Sequence, residues 1–526
     1  MQWRQRLMTL TAVCLASLAL FFLYSHSDNP LRRIPGISHL DNPGSLSPWN
    51  EVPTSSTPAS TSRLHLLIPA TQSNLDLCRL LISIAILGYP EPVLIGWGGS
   101  AANHLFKVPT ILEYLQALPP DSDDDLVLIV DGYDIWFQLR PDVIIKRYYG
   151  VIAQHNARLA SEGILGRLDE SGKEIRQSVL FGPDKLCFPR DDRRAACWVV
   201  PDREQLGPSF PPYVFGPETG AWMVTLRPRW LNSGTIIGPV KDMRDVYSVT
   251  QERINSTYNE DYQFRNSDQY YLSEVWAEQE YVRVGTRDGQ VVPPPVGQEV
   301  TKHDETFVDH KAHIPNLAPG QRTQYGIGLD YDAALFQTNA GYRSFMSWMT
   351  FNHTSPQSPS YADGTPRARR LDQMPLQQDV TASRPPFADI ASWLSKPSEQ
   401  KKKHYNLPRA STPWSDVPLG VNAITHQIFP IFHVTGDKSF RDLWWPRLWF
   451  YKYAKALLVG QALDWDTELA VVGNTTFKPA LAPANNSDNR PGDANKGGAW
   501  SPSGDYLSWK DTCGAFEDDP GLRQIR

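Results

Sequence analysis

The run Leu126-Val127-Leu128-Ile129-Val130 is apolar at every position and ends on Asp131-Gly132-Tyr133-Asp134. A strand with one wet face alternates in polarity. A strand that does not alternate must be covered on both faces, the condition of a central strand in a parallel α/β sheet. Ligands of such sheets bind outside the carboxyl ends of the strands, so the two acids stand where a crevice is expected. Two carboxylates at this spacing suit a hard divalent cation such as Mg²⁺ or Mn²⁺, able to bridge the phosphates of a nucleotide. Asp131-Gly132 alone also fits a hairpin turn; the continuous apolar run argues against that alternative.

The flanking sequence supplies the rest of a nucleotide-binding sheet. Leu64 to Ile68 reads as a buried strand. Leu75, Leu77, Leu80, Leu81, Ile84 and Leu87 follow at helical spacing, and Gly88 supplies a stop. Val93 to Ile95 reads as a second strand and Val108 to Leu118 as a second helix closed by Pro119-Pro120. Strand, helix, strand, helix and strand within about 75 residues predict an α/β fold with a parallel sheet of nucleotide-binding type. Further on, Asp142 to Arg158 and Ser267 to Glu278 read as helices, Ser178 to Phe181 as a strand, and Trp230 to Gly238 as a turn feeding a strand. The globular part is expected at 63–460. Within it, 352–413 is rich in Pro, Ser, Arg and Lys and reads as a disordered surface insertion, and 461–526 reads as a loosely ordered tail.

The ends and the cysteines point to a lumenal address. Leu7 to Tyr24 carries no charge, follows Arg4 and Arg6, and is just long enough to span a bilayer. No small-x-small cleavage pattern follows it, so residues 1–24 are expected to be an uncleaved signal-anchor rather than a signal peptide. Residues 25–62 read as a Pro/Ser-rich stem. Beyond the anchor lie Cys78, Cys187, Cys197 and Cys513, which permit three pairings. Cys187 with Cys197 closes a short loop; Cys78 with Cys513 requires the tail to fold back on the first helix. Sequons at Asn255, Asn352, Asn474 and Asn485 suit the same compartment. The net charge is only -6 over 526 residues and no basic stripe carries interleaved aromatics, so nucleic acid is not an expected partner.

Several blocks then recur in a characteristic order: LLIPATQSNLDLCRLLISIAILGY, VLIGW, DGYDIWF, VLFGPDKLCFP, WLNSGTIIG, SDQYYL, LDYDAALFQ and PIFHVTG with the following Lys438. In this the chain resembles the glycosyltransferase domain of the collagen lysyl hydroxylases, with a stem and polar insertions similar to those of fungal membrane-anchored proteins. The resemblance implies a GT-A nucleotide-sugar-binding fold with a mixed, mostly parallel central sheet flanked by helices, a Mn²⁺ (or Mg²⁺) cofactor and a UDP-sugar donor whose hexose passes to a hydroxyl of a protein or glycan acceptor, with retention of configuration. It implies a single-pass type II protein of the Golgi or endoplasmic reticulum. Asp131 and Asp134 become the metal carboxylates and His433 the third ligand. Thr71, Trp97 and Tyr133 would line the nucleoside pocket, with Gly436 and Lys438 at the diphosphate. Asp184, Asn232, Ser233, Asp268 and Gln269 would surround the transferred sugar and the acceptor.

The chain also departs from that pattern. His433 and Lys438 are one residue closer than usual, and Thr435 replaces an Asn. Asn266-Ser267-Asp268-Gln269 stands where the family has a run of acids, which leaves the acceptor class open. The only His-x-Asp matches, at His26 and His39, fall just after the membrane segment, so no hydroxylase activity is implied. His303, His310 and His313 lie in a charged stretch without zinc-ligand spacing and read as a solvated loop, as does Lys401-Lys402-Lys403. Two rival classes are a non-catalytic lumenal carbohydrate-binding or scaffold protein and a metal-dependent phosphodiester hydrolase, the latter lacking the further His and Asp ligands of a two-metal site.

Overall fold

Parallel pairing builds the centre of the sheet in the computed structural model. Strand β1 (Ser60–Pro69) leads to helix α1 (Leu75–Leu87), β2 (Val93–Ile95), α2 (Lys107–Ala117) and β3 (Leu126–Val130). The structure describes residues 60–100, 103–201, 228–291, 312–352, 360–361, 374–390, 407–460, 466–480, 497–517, 519 and 522. The Gly88 stop of α1 acts as expected, and the structure adds an N-terminal cap. The Asn74 side chain accepts the Leu77 N–H, and Gly88 adopts a left-handed conformation at φ 76° that costs a residue without Cβ nothing. All five residues of β3 are buried, which explains the missing alternation.

The remaining elements wrap this centre. Among them are β4 (Ile135–Phe137), α3 (Pro141–Ser161), β5 (Val179–Asp184), β6 (Trp230–Pro239), α4 (Val240–Thr257), α5 (Asp268–Asp288), β7 (Ile327–Leu329), β8 (Phe336–Thr338), β9 (Met346–Met349), β10 (Ser360–Tyr361), α6 (Gln378–Ala382), β11 (Leu419–Asn422), β12 (Ile431–His433), β13 (Ala470–Val472), β14 (Thr475–Pro479), β15 (Ala499–Trp500), β16 (Tyr506–Leu507) and α7 (Trp509–Cys513). The main sheet runs β16-β15-β2-β1-β3-β6-β5-β7. It is mixed: β6 is antiparallel to both β3 and β5, whereas β5 and β7 are parallel. A second sheet, β4-β12-β8, pairs His433 with Ile135 on one side and with Thr338 on the other. That register carries the candidate site.

Three segments differ from the sequence reading. Trp230 to Gly238 is strand throughout, and the irregularity lies in its partner register, which shifts between Phe181 and Gly182. Part of 352–413 is ordered: Met374, Val380, Phe387 and Ile390 join the core, and two arginines, Arg147 in α3 and Arg140 just before its first turn, clamp the segment. Arg147, fully buried, pairs with Asp379 and donates to the carbonyls of Ala334 and Ile428, while Arg140 donates to the carbonyls of Arg384 and Pro385 and to Asp389. The tail contributes β14, parallel to the first half of β1, and α7, joined to α1 through Cys78–Cys513. Cys187 pairs with Cys197.

The candidate anchor at 7–24, the stem as far as residue 59, His303, His310, Lys401 to Lys403 and Asn485 lie outside the described residues. Among the described residues no helix is long and apolar enough to cross a membrane.

Candidate functional site

Two strand pairings bring the acids and the histidine together. Where β3 ends, the Asp131 N–H donates to the Gly234 carbonyl of β6 at 2.9 Å. The chain then turns tightly against β1: a Cβ on Gly132 would stand 2.7 Å from the Pro69 carbonyl oxygen. Tyr133 braces the turn, its hydroxyl accepting from the N–H groups of Thr71 and Gln72 and donating to the Gln72 carbonyl. Asp134 leads into β4, whose partner β12 sets His433 Nε2 3.2 Å from Asp134 Oδ2. Asp131, Asp134 and His433 each offer a ligand atom, all within 4.8 Å of one another. Gly234 leaves the room for this. A Cβ there would meet His433 Cε1 at 2.2 Å and Asp131 Oδ2 at 2.9 Å.

Lysines neutralise both carboxylates. Lys107, the first residue of α2, reaches Asp131 Oδ1 at 2.6 Å and Asp268 Oδ2 at 3.5 Å. Burial pulls its ammonium down, but Asp131 and Asp268 more than reverse this and raise it above the ordinary lysine range. Lys438 bonds Asp134 Oδ2 and, at 2.8 Å, the Val434 carbonyl. Burial pushes the Asp134 carboxyl up, and His433 and Lys438 overcome it to hold the group well below the usual carboxylate range. His433 Nδ1 is buried and has no hydrogen-bond partner among the described residues. Two carboxylates, one imidazole with an uncommitted nitrogen and a glycine-lined hollow fit a divalent cation of the Mn²⁺ or Mg²⁺ type.

The polar residues expected around a sugar gather on the β5–β6 side. Asn232 Nδ2 lies 3.4 Å from Asp184 Oδ2, and Asn232 Oδ1 accepts the Gly234 N–H at 3.0 Å. Ser233 N–H points to Gln269 Oε1 at 3.4 Å, which links the strand to the start of α5, where Ser267 caps the helix and Asp268 meets Lys107. Burial pushes the Asp184 carboxyl up to about 6 against hydrogen bonds from the Lys185 N–H and Asn232. Gly436 takes φ +72°, and this reversal returns the chain so that Lys438 reaches Asp134. Thr435 is an anchor, its hydroxyl accepting from the N–H groups of Asn339 and Ala340.

The nucleoside-side expectations meet a more constrained geometry. The Tyr133 hydroxyl is committed to the Thr71–Gln72 backbone. The Thr71 carbonyl accepts the Gly98 N–H at 3.0 Å, joining the ends of β1 and β2, and the half-buried Trp97 packs against the core. Lys107 was absent from the sequence reading. The available signal was a cation in register with Ile111 and Leu115, one helical turn apart, on the buried face of α2. His313 is exposed, and among the described residues the only metal-competent group is Asp131, Asp134 and His433.

No protein-family model matches this chain, and no curated protein shows a significant sequence match to it.

Proposed function

We propose that the chain is a metal-dependent glycosyltransferase with a GT-A domain, transferring a hexose from a UDP-sugar to a hydroxyl acceptor of the secretory pathway. The observation that carries this reading is the convergence of Asp131, Asp134 and His433 at the carboxyl end of a central parallel strand. A bound Mn²⁺ or Mg²⁺ held by these residues would supply charge neutralisation for the departing diphosphate. The chain's own groups do the rest. Lys438, on a short exposed loop, is the cation available to the leaving UDP. Lys107 fixes Asp131 and Asp268 relative to each other. Asp184, its carboxyl pushed up to about 6 by burial, lies beside Asn232, and the two can hydrogen-bond sugar or acceptor hydroxyls. Tyr133, whose hydroxyl accepts the Thr71 N–H, would border the nucleoside position together with Thr71 and Trp97. Two disulfides suit an oxidising lumen, in keeping with a type II anchor in the Golgi or endoplasmic reticulum.

The lysine-paired carboxylates also favour a second reading, in which the acids are structural ion-pair partners in a non-catalytic carbohydrate-binding protein. Incubating the full-length chain with Mn²⁺ and a panel of UDP-sugars separates the two. A glycosyltransferase releases UDP from one donor, in a reaction abolished by chelation. Saccharide binding indifferent to Mn²⁺, with every donor intact, establishes the second reading.

A further inference from the structure

Asp134 Oδ2 is already shared by two side chains, the imidazole of His433 and the ammonium of Lys438. His433 Nε2 stands 3.2 Å away and the Lys438 ammonium is in contact with the same oxygen. A divalent cation drawing on that oxygen must compete with the ammonium, because like charges at contact distance repel strongly in a poorly solvated site. Of the two partners of this ion pair, Lys438 is the one free to leave: its side chain is 45% exposed, against 10% for Asp134. It sits on the exposed run Gly436 to Ser439, downstream of the glycine reversal. Lys107 differs, being 11% exposed and held by two acids at once.

We propose that Lys438 is a displaceable counter-ion of Asp134, competing with the metal for this carboxylate and transferring to the nucleotide diphosphate when metal and nucleotide bind together. This rests on the metal-site reading above and adds a coupling to it. The ammonium that leaves Asp134 loses a charge-assisted hydrogen bond, and the diphosphate offers a replacement within the same site. Each ligand then strengthens the other, and linkage requires the factor to be the same in both directions. The sequence also places Lys438 where such a swing is short, four residues beyond the Val434 carbonyl that its ammonium already touches.

The experiment is calorimetric titration of the full-length chain with Mn²⁺, in the absence and presence of UDP, for the wild type, Lys438→Met and Lys438→Arg. Substitution at so exposed a side chain leaves the fold intact, and Mn²⁺ binding itself reports an intact site. Lys438→Met is expected to bind Mn²⁺ alone about tenfold more tightly than the wild type, the scale of one partly screened charge-assisted bond. Its enhancement by UDP is expected to shrink by a similar factor, while Lys438→Arg, which keeps a cation on Asp134, stays close to the wild type. Unchanged or weaker Mn²⁺ binding by Lys438→Met, with the wild type binding normally, overturns the competition. Absence of Mn²⁺ binding in every protein, with or without UDP, overturns the metal site itself and this coupling with it.

Discussion

Gly234 lies against both Asp131 and His433, and its backbone is pinned by hydrogen bonds on each side, from the Asp131 N–H and to Asn232. A methyl group added there cannot be absorbed by the strand, so the imidazole must turn away. Gly234→Ala is expected to weaken Mn²⁺ binding by about 10–100-fold, the range seen when a ligand's support is lost, and to lower stability by about 1–3 kcal/mol through overpacking. Titration with Mn²⁺ beside a thermal melt reads both quantities. Asp131→Asn tests the carboxylate itself. Its side chain is partly exposed, so the fold should persist while donor turnover falls by about a thousandfold, equivalent to several kcal/mol of transition-state stabilisation. Undiminished turnover in this variant returns Asp131 to the role of an ion-pair partner for Lys107.

At the scale of elements, α3 shows why composition misjudged 374–390. Polar content suggested that ordering the segment would cost more than its apolar residues return. Yet a few core side chains and two buried guanidinium clamps suffice to anchor 374–390. Arg147→Met leaves Asp379 buried without its partner, a change that costs about 3–5 kcal/mol; chemical denaturation should show the loss, and deletion of 374–390 should be more damaging still. The β7–β8 turn makes a separate prediction. Asp330 accepts the N–H groups of Ala334, Leu335 and Phe336, yet burial pushes it up to about 6. Burial and the neighbouring Asp330 push Asp332 up to about 7, and its Oδ1 has no partner among the described residues. An acid whose folded pKa is raised binds its proton more tightly when folded, so stability is greatest below pH about 4 for this pair and declines as pH rises to about 7. Asp332→Asn should flatten that decline and raise the melting temperature at pH 8. An unaltered profile would place the pH dependence elsewhere.

Across the whole molecule, the tail closes what the amino-terminal strands begin. β14 extends the sheet beside β1, and Cys78–Cys513 links residues 435 apart in sequence. Replacing both cysteines by serine is expected to lower stability by about 2–5 kcal/mol, chiefly by freeing the unfolded chain, and unfolding with and without reductant measures it. The parallel centre, the Gly88 end of α1, and the placing of Asp131 and Asp134 at a buried strand's end were all legible in the amino-acid order, because each depends on local periodicity, a stop residue or a short spacing. His433 was legible only through the similarity of its block, since nothing local distinguishes a ligand from a core histidine. The pairing of Lys107 with Asp131 and Asp268, the seat of Lys438 on Asp134, the hollow under Gly234 and the clamping of 374–390 by α3 were decided by the tertiary structure. They join segments tens to hundreds of residues apart, and which charges meet is set by strand register and helix direction, quantities that no local pattern encodes.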